Sequence, residues 1–169
     1  HRPTPDYFQS FGLGFFEYFQ FCEDIGAEPL PILNCGMACQ FNSKELAPLD
    51  QLEPYIQDML DLVEFANGPD TSAWGRRRAA LGHPKPVGMK LLGVGNEQWG
   101  PQYVERDERV ARVLKEKHPE IQLIASAGPD TAQGPSSARS ASHTLGWATA
   151  KPRRRPPSHW PEARFWRIK

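Results

Sequence analysis

Apolar positions along this chain alternate between helical and extended spacing. The plainest stretch is LDQLEPYIQDMLDLVEFANG (49–68), where Leu52, Ile56, Met59, Val63 and Ala66 recur at steps of four, three, four and three. Such a stripe runs down one face of a helix with about 3.6 residues per turn. Asp50 followed by Glu53 resembles a capping box, Pro54 falls in the first turn, and Gly68 suits the stop. Upstream, GLGFFEYFQFCEDIGAEP (12–29) predicts a helix with Phe15, Phe19 and Cys22 on one face, Glu17, Glu23 and Asp24 toward water, and Gly26 as its end. Downstream, PQYVERDERVARVLKEKHPE (101–120) predicts a third helix with Val104, Ala111 and Leu114 inward.

Between these helices lie short apolar runs, PLPILN (29–34), GMKLLGV (88–94) and IQLIAS (121–126), of strand length. The order is therefore helix, strand, helix, strand, helix, strand. Helical crossovers between apolar strands predict a parallel α/β sheet. The segment PDTSAWGRRRAALGHPKP (69–86) reads as a loop, with Arg76–Arg78 on a solvated face or one of them paired to a carboxylate, and His83 as a turn residue. After Ala127 no period of two or 3.6 persists, and Pro, Ser and Arg dominate. Residues 129–169 are thus expected to be a disordered tail, its abrupt onset suggesting a shifted reading frame. KPRRRPP within it reads as a solvated segment rather than a nucleic-acid arm.

Composition narrows the field. Twenty Lys and Arg balance 20 Asp and Glu, so no global field draws nucleic acid or an anionic membrane. No apolar run approaches the ~20 residues that span a bilayer. Three cysteines, Cys22, Cys35 and Cys39, make neither a disulfide framework nor a metal set, and neither GLG nor GVG completes a dinucleotide fingerprint. No cofactor is expected, and compartment and oligomeric state are left open.

The chemistry concentrates in LLGVGNEQWG (91–100), an apolar strand ending in Asn96 and Glu97. Asn34 ends the preceding strand, so the two tips should share one mouth at the carboxyl ends of the sheet, where α/β barrels place their sites. A glutamate there suits general acid/base work if partial burial or a second carboxylate raises its pKa. Asn96 can donate to and accept from a sugar hydroxyl, while Trp99 and Tyr103 offer flat faces for a sugar ring. The competing reading is that Glu97 caps the next helix, where a carboxylate is favoured in any protein. Position alone leaves both open.

Four consecutive blocks, GLGFFEYFQFCEDIGAEPLPILNCG, YIQDMLDLVEFANG, WGRRRAALGHPKP and LLGVGNEQWG, resemble α-L-arabinofuranosidases of glycoside hydrolase family 51, over about residues 12–128. The resemblance implies a partial (β/α)8 TIM barrel, about strands three to five with their helices, in a domain over 1–128. It implies a retaining hydrolase that removes terminal α-L-arabinofuranosyl groups from arabinan or arabinoxylan, with arabinose-containing saccharide as partner. On that likeness Glu97 is the acid/base, and Asn96 binds near the sugar 2-hydroxyl. The second carboxylate of a retaining site, the nucleophile, comes from the family's seventh strand, which this chain lacks. Glu162 matches nothing in the family motif. The chain by itself is therefore expected to be inactive. Two further alternatives are a non-catalytic carbohydrate-binding remnant and a piece of another barrel glycosidase such as a xylanase or β-galactosidase.

Overall fold

A computed structural model describes residues 12–41 and 43–126; the expected tail, with KPRRRPP and Glu162, lies outside them. The described elements run α1 (Phe15–Ile25), β1 (Ile32–Leu33), a short 3₁₀ turn (Leu49–Gln51), α2 (Glu53–Asn67), α3 (Ala73–Ala80), β2 (Leu91–Val94), α4 (Pro101–Lys117) and β3 (Gln122–Ala125). The three strands form one parallel sheet in the order β1-β2-β3. Ile32 pairs with Gly93 and Leu33 with Val94; Leu91 through Val94 then pair with Gln122 through Ala125. All three therefore end at the same edge of the sheet.

The α2 stripe holds throughout. Leu52, Ile56, Met59, Val63 and Ala66 are all buried, joined by Leu60 and Leu62, and they meet Met89, Leu92 and Val94 from the strand segment. The capping box does not form. The 3₁₀ turn over Leu49–Gln51 runs straight into α2, so Leu52 takes the N-cap position without a side-chain bond and Asp50 stands too early to reach the first turn. On α1 only Phe19 of the expected face is fully buried; Phe15 is exposed and Cys22 half-buried. Glu23, though exposed, reaches His83 Nε2 at 2.9 Å, so His83 ties its turn to α1.

The segment expected to be a loop contains α3. Its hydroxyl cap, Ser72, accepts from Gly75 N at 3.1 Å, and a Cβ on Gly75 would overlap Pro69 O. The helix carries no apolar stripe because a guanidinium holds it instead. Arg78 is 0% exposed and donates to the carbonyls of Phe65, Ala66, Gly68, His83 and Pro84 at 2.6–3.2 Å. It is neither solvated nor paired with a carboxylate at the sheet's tip. Burial costs its charge, lowering its pKa, with Asp70 opposing; five carbonyls supply the hydrogen bonds that water would have made.

On α4 Leu114 is buried as expected, but the upper part of the inward face lies one residue before Val104 and Ala111. Tyr103, Arg106, Asp107, Val110 and Leu114 are buried, while Val104 and Ala111 are half-buried. Along the outer side of β1, Ile32 is exposed and a groove of about 530 Å³ opens between α1, β1 and α2, lined by Phe15, Phe16 and Phe65 among others. No helix among the described residues is long and apolar enough to cross a membrane.

Candidate active site

The sheet's carboxyl edge places three loops side by side: residues 34–48 after β1, 95–100 after β2, and Ser126 after β3. Gly95 N donates to Leu33 O at 2.8 Å, continuing the ladder for one bond past the paired strands. There the β2 chain turns sharply. Gly95 has φ 71°, and a Cβ on it would collide with Gln98 Oε1 and lie 3.0 Å from Cys35 Sγ and 3.1 Å from the Tyr103 ring. Only glycine fits both the backbone angle and the space.

Asn96 and Glu97 follow, both exposed. Glu97 has φ 54°, and among the described residues only Lys44 is another non-glycine with positive φ. A left-handed backbone at a residue with a Cβ costs ~1–2 kcal/mol, and such outliers gather at functional sites. The turn aims the Glu97 side chain away from the core, and Glu97 does not cap α4. That helix has Gly100 as its N-cap with no side-chain bond, Pro101 in its first turn, and no acidic residue there.

Asn34 is also exposed, at the adjacent tip. Its Oδ1 accepts from Gly36 N at 2.7 Å and Met37 N at 3.1 Å, so the side-chain oxygen shapes the β1 loop and Nδ2 is left to face outward contacts. Trp99 is half-buried, its backbone held at both polar groups by one side chain. Gln40 Oε1 accepts from Trp99 N at 2.8 Å and Gln40 Nε2 donates to Trp99 O at 3.2 Å. Phe41, 80% exposed, sets its ring centroid 5.0 Å from that of Trp99.

Tyr103 is not a surface platform. It is 2% exposed, and its hydroxyl donates to Val94 O at 2.8 Å and accepts from Ser126 N at 2.6 Å. The phenol thus bridges β2 and β3 where their own ladder stops. Burial first, then the Asp107 charge, push its pKa far up, so the hydroxyl stays a neutral donor. Beneath the same turn, burial pushes the Cys35 thiol up to about 11. Among the described residues no group of three or more His, Cys, Asp or Glu side chains could hold a metal ion.

Gln98 gave no sign in the sequence and is the most connected residue of the turn. It is 4% exposed; Oε1 accepts from Asn96 N, Nε2 lies 3.5 Å from Met37 O, and its backbone N donates to Ser126 Oγ at 3.1 Å.

Asn34 at the tip of β1 and Asn96 with Glu97 at the tip of β2 thus share the carboxyl edge of a parallel sheet, where α/β barrels place their sites. Comparison with known proteins makes this specific. Residues 2–155 match the family model described as the alpha-L-arabinofuranosidase 1 domain, a match wider on both sides than the resembling stretch 12–128. The chain belongs to the α-L-arabinofuranosidases of glycoside hydrolase family 51. It is 43% identical over 127 residues to an extracellular exo-α-L-arabinofuranosidase of Streptomyces chartreusis, covering 75% of this chain and 15% of that protein. It is 35% identical over 121 residues to α-L-arabinofuranosidase 2 of Arabidopsis thaliana, covering 71% and 17%. An arabinose-bound family 51 α-L-arabinofuranosidase of known structure superposes with a TM-score of 0.62 at 35% identity, over 70% of this chain and 19% of that one. The chain thus spans about a sixth of the length of these curated relatives.

Proposed function

We propose that this chain supplies the acid/base segment of a retaining α-L-arabinofuranosidase, strands three to five of its (β/α)8 barrel, with Glu97 as the catalytic proton donor and acceptor. The observation that carries the reading is Glu97 itself: an exposed carboxylate at a parallel strand's carboxyl tip, held in a left-handed turn and free of any capping duty. In the first half of the reaction Glu97 protonates the glycosidic oxygen as the bond to the leaving sugar breaks. In the second half the same carboxylate takes a proton from water as that water attacks the glycosyl-enzyme. Asn96 and the Asn34 Nδ2 group hold hydroxyls of the arabinofuranosyl ring, and Trp99 offers an apolar face beside them. Turnover needs a second carboxylate ~5–5.5 Å from the first. In the family that nucleophile stands on the seventh strand, which the three described strands do not include. The substrates proposed are arabinan, arabinoxylan and related arabinose-containing saccharides.

The test is Glu97→Ala in a complete family barrel carrying residues 12–126 of this chain. kcat/KM on arabinofuranosyl oligosaccharides should fall by ~10²–10⁴, while a dinitrophenyl arabinofuranoside, whose leaving group needs no proton, keeps its kcat/KM. Azide should restore turnover of the activated substrate by replacing the base-activated water. Equal loss on both substrates, or none, would remove Glu97 from the acid/base role. Preference for aryl xylosides or galactosides over the arabinofuranoside would reassign the substrate to another barrel glycosidase.

A further inference from the structure

The left-handed turn at Glu97 raises the question of what keeps it there. A residue with a Cβ is relieved of strain by leaving that region, and an exposed side chain has no packing of its own to resist. The restraint comes from the next residue. The Gln98 backbone N–H, which belongs to the peptide plane setting the ψ of Glu97, donates to Ser126 Oγ at 3.1 Å. The Gln98 side chain folds back, so that Oε1 accepts from Asn96 N on the other side of Glu97. Nε2 points to Met37 O at 3.5 Å, in the loop that Asn34 caps through Met37 N at 3.1 Å. One residue therefore joins the tips of β1, β2 and β3, and its contacts bracket the proposed acid/base residue in the chain.

We infer that Gln98 is the positioning residue of the acid/base carboxylate: it fixes the backbone of Glu97 so that its oxygen meets the glycosidic oxygen. Gln98 is buried and does not touch substrate; it acts through Glu97. The glycine at 95 belongs to the same device, because a Cβ there would occupy the place of Gln98 Oε1. The inference rests on the acid/base reading of Glu97 and adds the means by which that residue is aimed.

Its signature is a dependence on the leaving group. Misplacing an acid by ~1 Å costs on the order of 10²-fold in rate, but only where the acid is needed. kcat/KM reports steps through glycosyl-enzyme formation, so it isolates the proton-donation half. Gln98→Met, of similar length, removes both side-chain hydrogen bonds and fills the space. In the complete barrel its kcat/KM on arabinofuranosyl oligosaccharides should fall ~10–100-fold. On a dinitrophenyl arabinofuranoside the change should stay within about threefold. Ser126→Ala, which removes the acceptor for Gln98 N from a different strand, should show the same pattern more weakly, and decides the matter if Gln98→Met does not fold. Equal losses on both substrates in these variants, or no loss on either, would overturn the inference. Glu97→Ala separates the two levels. If it lacks the leaving-group dependence, the acid/base reading falls and this inference with it. If it shows the dependence and the Gln98 and Ser126 variants do not, the positioning role alone is wrong.

Discussion

Arg78 offers a stability test in which donor geometry is separated from charge. Its guanidinium makes five hydrogen bonds to carbonyls, through Nε to His83, Nη1 to Phe65 and Ala66, and Nη2 to Gly68 and Pro84. These carbonyls come from the end of α2, the turn after it and the loop after α3, so one side chain closes the whole corner. Arg78→Lys keeps the positive charge but has three donors for five acceptors, and at least two carbonyls lose their partner. A hydrogen bond to a charged group contributes ~1.5–3 kcal/mol, and a buried carbonyl left without a donor costs ~1–3 kcal/mol. A loss of about 3–4 kcal/mol follows, a large part of the ~5–15 kcal/mol that holds a typical domain. With a urea dependence of about 2 kcal/mol per molar, the midpoint should move down by ~1.5–2 M. The assay is urea unfolding followed by circular dichroism, with Arg77→Lys as the control. Arg77 is exposed and sits 4.4 Å over the Trp74 ring, a contact worth about 0.5–1 kcal/mol. A midpoint for Arg78→Lys within about 0.3 M of the parent would show that charge, not the donor fork, holds the corner. The effect should also persist at high salt, since the partners are neutral carbonyls rather than an exposed ion pair.

Three other outcomes are expected. Tyr103→Phe, which removes the bridge between Val94 O and Ser126 N, should destabilise by ~1–3 kcal/mol in the same unfolding assay. Gly95→Ala should cost at least about 2 kcal/mol, since its φ of 71° and its missing Cβ space are both violated; hydrogen exchange at Asn96 and Gln98 would report the loosened turn. Cys35 should resist a thiol reagent at pH 8 until the chain unfolds, while exposed Cys39 reacts in the folded state. Burial holds the folded pKa of Cys35 at about 11, above the ordinary thiol value of 9.0, so the folded state holds this proton more tightly. The resulting stability is full below pH ~9 and is lost as pH rises through ~11, a fall that Cys35→Ala should abolish.

The sequence was legible where burial follows a simple period. Leu52, Ile56, Met59, Val63 and Ala66 declare α2 because nothing charged interrupts their face. The strand tips were legible because an apolar run stopping at Asn34, or at Asn96 and Glu97, has no use inside a core. α3 escaped notice because its inward residue is an arginine and the partners of that arginine are backbone carbonyls, which no residue pattern records. Leu114 of α4 is buried as expected, while Val104 and Ala111 came out one position off for a related reason. Arg106 and Asp107 are buried beside Tyr103 and Val110, so the true stripe looks polar. Tyr103 was misread as a sugar platform because an aromatic near the Asn96–Glu97 tip looks the same whether it faces water or the sheet; its place in the first turn of α4 turns it inward. Gln98 carried no signal at all. Its role depends on three loops meeting, and only the register of the strands brings them together.

The order β1-β2-β3 in space is also the order in the chain. β2 finds its neighbour in β1 and β3 finds its neighbour in β2, each in the strand synthesised just before it and across a helical crossover. Growth of the sheet can therefore keep pace with a nascent chain leaving the ribosome, each new unit laid against a finished edge. The Gln98 junction closes last in that sequence, because its final partner is Ser126. The turn that carries Glu97 is thus locked only when the third strand arrives.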